Sequence, residues 1–218
     1  MADKLYYNAV TPLLHSILKT LMVADEFKEF RLVGGTALSL YRGHRESVDI
    51  DLFTDAVYGT IDFDAINIFL RNTYPYVDTS NDDLIGFGKS YFIGESAENS
   101  IKLDVFYAND SFIDNVVLID NIRLASIDEI IAMKVDVVSR GGRKKDFWDI
   151  HELMNYYSAD TMFALHEKRH PYAHKRDELK QKFKEFENAD NDFEPICMRG
   201  KHWALIKLDI ISFINTLS

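Results

Sequence analysis

The stretch Val48-Asp49-Ile50-Asp51-Leu52-Phe53 constrains this chain more than any other. Apolar and acidic residues alternate there with the period of a β-strand. Val48, Ile50 and Leu52 therefore face an apolar layer, while Asp49 and Asp51 share the opposite face. Two carboxylates on one face repel each other unless a cation sits between them. A hard divalent ion such as Mg²⁺ (or Mn²⁺), which takes oxygen ligands and leaves positions open for phosphate, resolves the conflict. A solvent-exposed sheet face is the alternative for the pair taken alone.

Ile101-Lys102-Leu103-Asp104-Val105-Phe106 repeats the pattern on a later strand, with one acid among alternating apolar residues. If the two strands are neighbours, Asp104 completes a three-carboxylate cluster able to hold two metal ions. Upstream, Leu32-Val33-Gly34-Gly35-Thr36 reads as a strand running into a glycine turn that opens a helix. Glycines there let the backbone approach a ligand closely, and a helix N-terminus offers free N–H groups to phosphate oxygens.

The surrounding chain reads as an α+β fold, a mixed sheet with flanking helices followed by a C-terminal helical lobe. A loosely amphipathic helix is expected over 5–22, a short strand over 31–33 and a helix from Thr36 to Tyr41. Strands are expected over 47–53, 89–93, 101–107 and 116–119, with a helix over 61–71. After Ser126-Ile127-Asp128-Glu129, which has capping-box spacing, the pattern is almost wholly helical: about 126–139, 145–157, 159–168, 171–187 and 201–217, with an acidic linker at 188–194. The division implied is an α/β lobe over 1–122 and a helical lobe over 123–218 that completes the cleft. Lys134 falls inside the apolar stripe Ile127, Ile130, Ile131 and Val138 of its helix. A buried ammonium is costly without a partner, so Lys134 reaches for a triphosphate or a carboxylate, or else snorkels to water. Asp146 and Asp149 share one side of the next helix, where Asp146 could meet Lys134 or the nucleotide, or simply favour the helix dipole. Arg45 is a candidate phosphate contact, and Asp146 and Asp149 are candidate nucleotide contacts.

Gly34-Gly35-Thr36-Ala37-Leu38 followed by His44-Arg45-Glu46-Ser47-Val48-Asp49-Ile50-Asp51-Leu52-Phe53 resembles the AbiEii/AbiGii-type nucleotidyltransferases of the DNA polymerase β-like superfamily. That family includes toxins of abortive-infection and toxin–antitoxin systems. The resemblance implies that Gly34, Gly35 and Thr36 hold the triphosphate of an NTP, that Asp49 and Asp51 bind metal, and that Asp104 is the third acid and general base. Lys134 and Lys145-Asp146-Phe147-Trp148-Asp149-Ile150 match the family's helix lysine and later Asp-x-x-Asp. The implied reaction transfers NMP to an acceptor hydroxyl on an RNA 3′ end such as tRNA, a protein or a small molecule. An antitoxin protein would be the partner if the chain acts as a toxin.

The formal net charge of −10 argues against broad nucleic-acid binding, although Arg140–Lys145 and Lys168–Arg176 form local basic patches. No apolar run reaches the ~20 residues of a membrane span, and a secretory signal is not evident. With Cys197 the only cysteine, the cytoplasm is the expected compartment. Two other readings compete: a catalytically silent nucleotide- or partner-binding module on the same scaffold, and a zinc hydrolase using His166, Glu167 and His170. The latter have His-Glu-x-x-His spacing, but Lys168 and Arg169 crowd a cation with positive charge and Pro171 interrupts the helix.

Overall fold

The computed structural model describes residues 4–79 and 86–217. Its centre is a seven-stranded mixed sheet in the order β3-β4-β5-β2-β1-β7-β6. The strands are β1 (Arg31–Leu32), β2 (Asp49–Thr54), β3 (Tyr76–Asp78), β4 (Gly88–Gly94), β5 (Ser100–Tyr107), β6 (Val117–Ile119) and β7 (Ile122–Leu124). The helices are α1 (Pro12–Val23), α2 (Gly34–Arg42), α3 (Phe63–Thr73), α4 (Ile127–Ser139), α5 (Lys144–Leu153), α6 (Ala159–Arg169), α7 (Arg176–Lys182), α8 (Glu187–Asp190) and α9 (Trp203–Ile214).

Sequence periodicity dictates the two strands at the centre. Ile50 and Leu52 on β2, and Ile101, Leu103, Val105 and Tyr107 on β5, turn into the core, and burial alternates residue by residue along both strands. The parallel pairing of β2 with β5 sets Asp49 opposite Lys102 and Asp51 opposite Asp104. Antiparallel β4 extends the same rows, placing Phe92 beside Lys102 and Ser90 beside Asp104. One face of the sheet thus carries aligned polar residues while the other packs on α1 and α3, whose apolar stripes bury Leu14, Ile17, Leu18 and Leu21, and Phe63, Ile66 and Leu70.

Local signals set four of the helix starts. Thr11 caps α1, whose first residue is Pro12; Asp62 caps α3; Ser126 caps α4 and Ser158 caps α6. The expected helix over 171–187 is not formed as one piece. His170–His174 make a turn, with the Ala173 and His174 N–H groups bonded to the His170 carbonyl, and only α7 and the four-residue α8 follow. α8 also takes the first residues of the stretch expected as linker. Strands β3 and β7, three residues each, are additions to the sequence-derived scheme. A division at 122/123 falls inside β7, and a single hydrophobic cluster runs from Leu5 to Leu217 across it. Tyr41 of α2 also donates a hydrogen bond to the Ala125 carbonyl.

Candidate active site

β1 ends at Leu32, and the chain enters α2 through Gly34, whose φ of +67° a side chain would adopt only under strain. A Cβ at Gly34 would lie 2.7 Å from Asp51 Oδ2, so the glycine also permits the turn to press against the second acid of β2. The first N–H groups of an α-helix lack intrahelical partners, and α2 begins at this contact with Asp51.

The three acids share one sheet face but differ in surroundings. Asp104 accepts from Ser90 Oγ and from Lys102 Nζ, each at 2.5 Å. Lys145 Nζ reaches across from α5 to Asp49 Oδ2 at 3.2 Å. Among the described residues no lysine pairs directly with Asp51, which is pushed up to about 6 by burial first, then by the charges of Asp104 and Asp49, with Lys134 and Lys145 opposing the rise. Lys102 lies two residues before Asp104 and so projects on the same face, a relation already legible in the strand period. Lys145, Lys102 and Ser90 were the members of this cluster that motif reasoning did not single out as site residues.

The opposite wall comes from α4 and α5. Lys134 is buried, with its Nζ 2.6 Å from Asp146 Oδ1 and 2.8 Å from Asp149 Oδ2. Despite burial, the neighbouring Asp146 and Asp149 charges hold its pKa above the ordinary lysine value. Asp146 also caps α5, its Oδ2 accepting from the Arg143 N–H at 3.0 Å. Gly34, Gly35, Asp51, Lys134, Lys145 and Asp146 line one cleft of about 310 Å³. Arg140 and His170, from the two basic patches, line it as well. A wider groove of about 790 Å³ opens on the other side of Asp49, lined by Val48, Phe92 and Lys102.

Three expected ligand contacts are turned elsewhere. Thr36 is buried, and its hydroxyl donates to the Asp49 carbonyl and lies 2.7 Å from Ser47 Oγ, so the side chain is committed within the protein. Arg45, expected in a loop facing phosphate, is 2 % exposed, and its Nε and Nη2 donate to Asp149 at 2.7 and 2.9 Å. Asp149 is fully buried, and His44 Nε2 and Lys134 also hold its oxygens, so both are committed to protein partners in this structure. A bidentate arginine needs a planar acceptor, and the buried carboxylate supplies one.

The His-Glu-x-x-His residues do not converge as zinc ligands. His166 is buried with its Nδ1 2.9 Å from His174 Nδ1, His170 Nδ1 lies 2.7 Å from Asp110, and Glu167 is exposed. Among the described residues no group of three His, Cys, Asp or Glu side chains stands ready to hold a metal ion. That includes the three acids, two of which carry lysine partners. The donor set nonetheless fits a hard divalent cation. Its carboxylates share one face, the Lys134 and Lys145 charges only partly offset what burial and the other two acids impose on Asp51, and Lys102 and Lys145 are 40 % and 33 % exposed and able to swing away.

Among curated proteins, the chain is 30 % identical over 145 residues to "Uncharacterized protein aq_aa25" of Aquifex aeolicus (strain VF5), a match spanning 61 % of each protein. Among solved structures it is similar to JHP933 from Helicobacter pylori, with a TM-score of 0.58 at 18 % identity over 97 % of this chain and 92 % of that one. A Helicobacter pylori protein assigned as a nucleotidyltransferase also gives 0.58 at 18 % identity, over 93 % and 90 %. These likenesses establish the nucleotidyltransferase fold. No helix of the described residues is long and apolar enough to cross a membrane. The model for "Nucleotidyl transferase AbiEii toxin, Type IV TA system" matches residues 16–216, nearly the whole chain, and the protein belongs to that family of nucleotidyltransferases.

Proposed function

We propose that this nucleotidyltransferase moves NMP from an NTP to an acceptor hydroxyl in a reaction that needs Mg²⁺ or Mn²⁺. The observation that carries the reading is the β2–β5 register: it sets Asp51 level with Asp104, beside the Gly34 turn and opposite Lys134.

Asp49, Asp51 and Asp104 would hold the divalent ion, whose chemistry when bound is to neutralise and orient the triphosphate. The backbone N–H groups at the start of α2, from Gly34, Gly35 and Thr36, would bind its phosphate oxygens. Lys134, kept cationic by Asp146 and Asp149, would oppose the charge that grows on the leaving pyrophosphate. Lys145, which lies on Asp49 in this structure and is partly exposed, would bind a phosphate oxygen of the NTP. The acceptor hydroxyl would come from the groove beyond Asp49, and Asp104 would take its proton. The acceptor is an RNA 3′ end such as tRNA, a protein or a small molecule. The family assignment supports a toxin role with an antitoxin partner, and a cytoplasmic setting suits NTP and Mg²⁺ supply.

Incubating the protein with each labelled NTP, Mg²⁺ and cell RNA or extract tests the reading. Label should enter one acceptor, and incorporation that persists in Asp49→Ala or Asp51→Ala would contradict the mechanism. Binding of Mg-NTP with no pyrophosphate release under any acceptor supply would favour the silent module.

A further inference from the structure

Gly34 and Gly35 look alike in sequence, yet the structure gives them different reasons to be glycine. Gly34 has the positive φ and touches Asp51. Gly35 lies outside the left-handed region, so its backbone would accept a side chain. What forbids one is Arg45: a Cβ at position 35 would lie 2.2 Å from Arg45 Nη2, with Asp149 Oδ2 at 3.4 Å.

That guanidinium has little freedom to yield. Its Nε and Nη2 are committed to the two oxygens of Asp149, its Nη1 donates to the Glu46 carbonyl at 3.0 Å, and the side chain is 3 % exposed. Asp149 in turn receives His44 Nε2 at 2.7 Å and Lys134 Nζ at 2.8 Å. One carboxylate on α5 therefore ties together the loop that leads into β2 and the Lys134 side chain of α4, and its arginine partner packs on the start of α2. Lysine has a flexible four-carbon stem, and Asp146 alone would leave its ammonium one anchor. Asp149 supplies the second, and Arg45 and His44 hold Asp149.

We propose that Asp149, locked by Arg45, is a positioning residue for Lys134, and that residue 35 is glycine to admit the Arg45 guanidinium rather than to admit a phosphate oxygen. The part that concerns Lys134 rests on the nucleotidyl-transfer reading above; the steric part does not.

A double-mutant cycle on the full chain separates the two origins of Gly35. Gly35→Ala in the native background should lower the melting temperature and weaken Mg-ATP or Mg-GTP binding on the order of tenfold, as expected for side chains in direct contact. In an Arg45→Lys background, where Nη2 is gone, the same alanine should cost about twofold or less. Should Arg45→Lys fail to fold, Arg45→Gln serves the same purpose. An equal cost of Gly35→Ala in both backgrounds would overturn the steric assignment, because residue 35 would then be meeting the ligand.

Asp149→Asn keeps the shape and removes one anchor of Lys134. It should raise KM for the NTP and lower kcat while Lys134→Ala adds nothing further in the Asp149→Asn background. Additive effects of the two substitutions would sink the positioning role. If wild-type protein binds no nucleotide at all, the transfer reading fails, while the melting-temperature cycle still decides why position 35 is glycine.

Discussion

Asp51→Asn exchanges a carboxylate for an amide of the same shape at a place where ionisation is disfavoured. Burial, then the Asp104 and Asp49 charges, raise the Asp51 pKa from 3.8 to about 6. A shift of about 2 units at 1.36 kcal/mol each corresponds to about 3 kcal/mol against the ionised, metal-free fold. Because the side chain lines a cleft, water screens part of this, and about 1–3 kcal/mol is the expected penalty. The sign follows from the raised acid: the folded state binds the proton more tightly than the unfolded chain. The penalty is absent below about pH 4, grows between pH 4 and 6 and is complete above. Asp51→Asn should therefore abolish transfer and yet stabilise the metal-free protein at pH 8. For 2 kcal/mol the gain in Tm is roughly 4–8 °C in a chain of this size. Denaturation in EDTA at pH 5 and pH 8 measures it, with a clearly larger gain at pH 8. Mg²⁺ should raise the wild-type Tm and narrow the gap. An Asp51→Asn protein no more stable than wild type at pH 8, or a gain that does not change between the two pH values, would refute the reasoning.

Lys134→Met should lower kcat to the level of Asp149→Asn and cost about 3–5 kcal/mol of stability, since it removes the cation from two buried carboxylates; urea titration reports the loss. Leu103→Ala, on the apolar side of β5 and fully buried, should cost about 2–5 kcal/mol in the same assay while leaving the acids in place. Mg²⁺ with the preferred NTP at about 100 times its Kd should stabilise the native chain by about 2.7 kcal/mol, and the unpreferred NTPs by less, in a thermal-shift screen. Purified protein should carry far less than one equivalent of zinc by elemental analysis. A full equivalent lost in His166→Ala would revive the hydrolase reading.

The strands bearing the acids were legible because their burial alternates so regularly: Ile50, Leu52, Leu103 and Val105 have no role on the polar face. That β2 and β5 lie side by side was not legible, since strand adjacency is a tertiary choice that a period of two leaves open. Lys134 announced itself as a charge on an apolar stripe, and the structure puts it between two carboxylates. Arg45 gave no such warning. It sits in a loop, where arginines are ordinarily solvated, and its burial depends on an aspartate that lies far along the chain on α5. The turn at His170–His174 also escaped prediction, because the helical pattern after Pro171 is strong while the His174–His166 contact that accompanies the turn spans two elements.

β5 is gripped on both flanks, parallel by β2 and antiparallel by β4, over most of its length. Inserting or deleting one residue inside it would send Asp104 and Lys102 into oil and bring Leu103 and Val105 to the cleft. Catalysis and folding would be lost in the same stroke. The β4–β5 hairpin tip, where Glu95–Asn99 face water, is by contrast free to lengthen or shrink without moving a single acid. Variation that reshapes the neighbouring groove can therefore accumulate at the tip, while the strand behind it tolerates substitution but not a change of length.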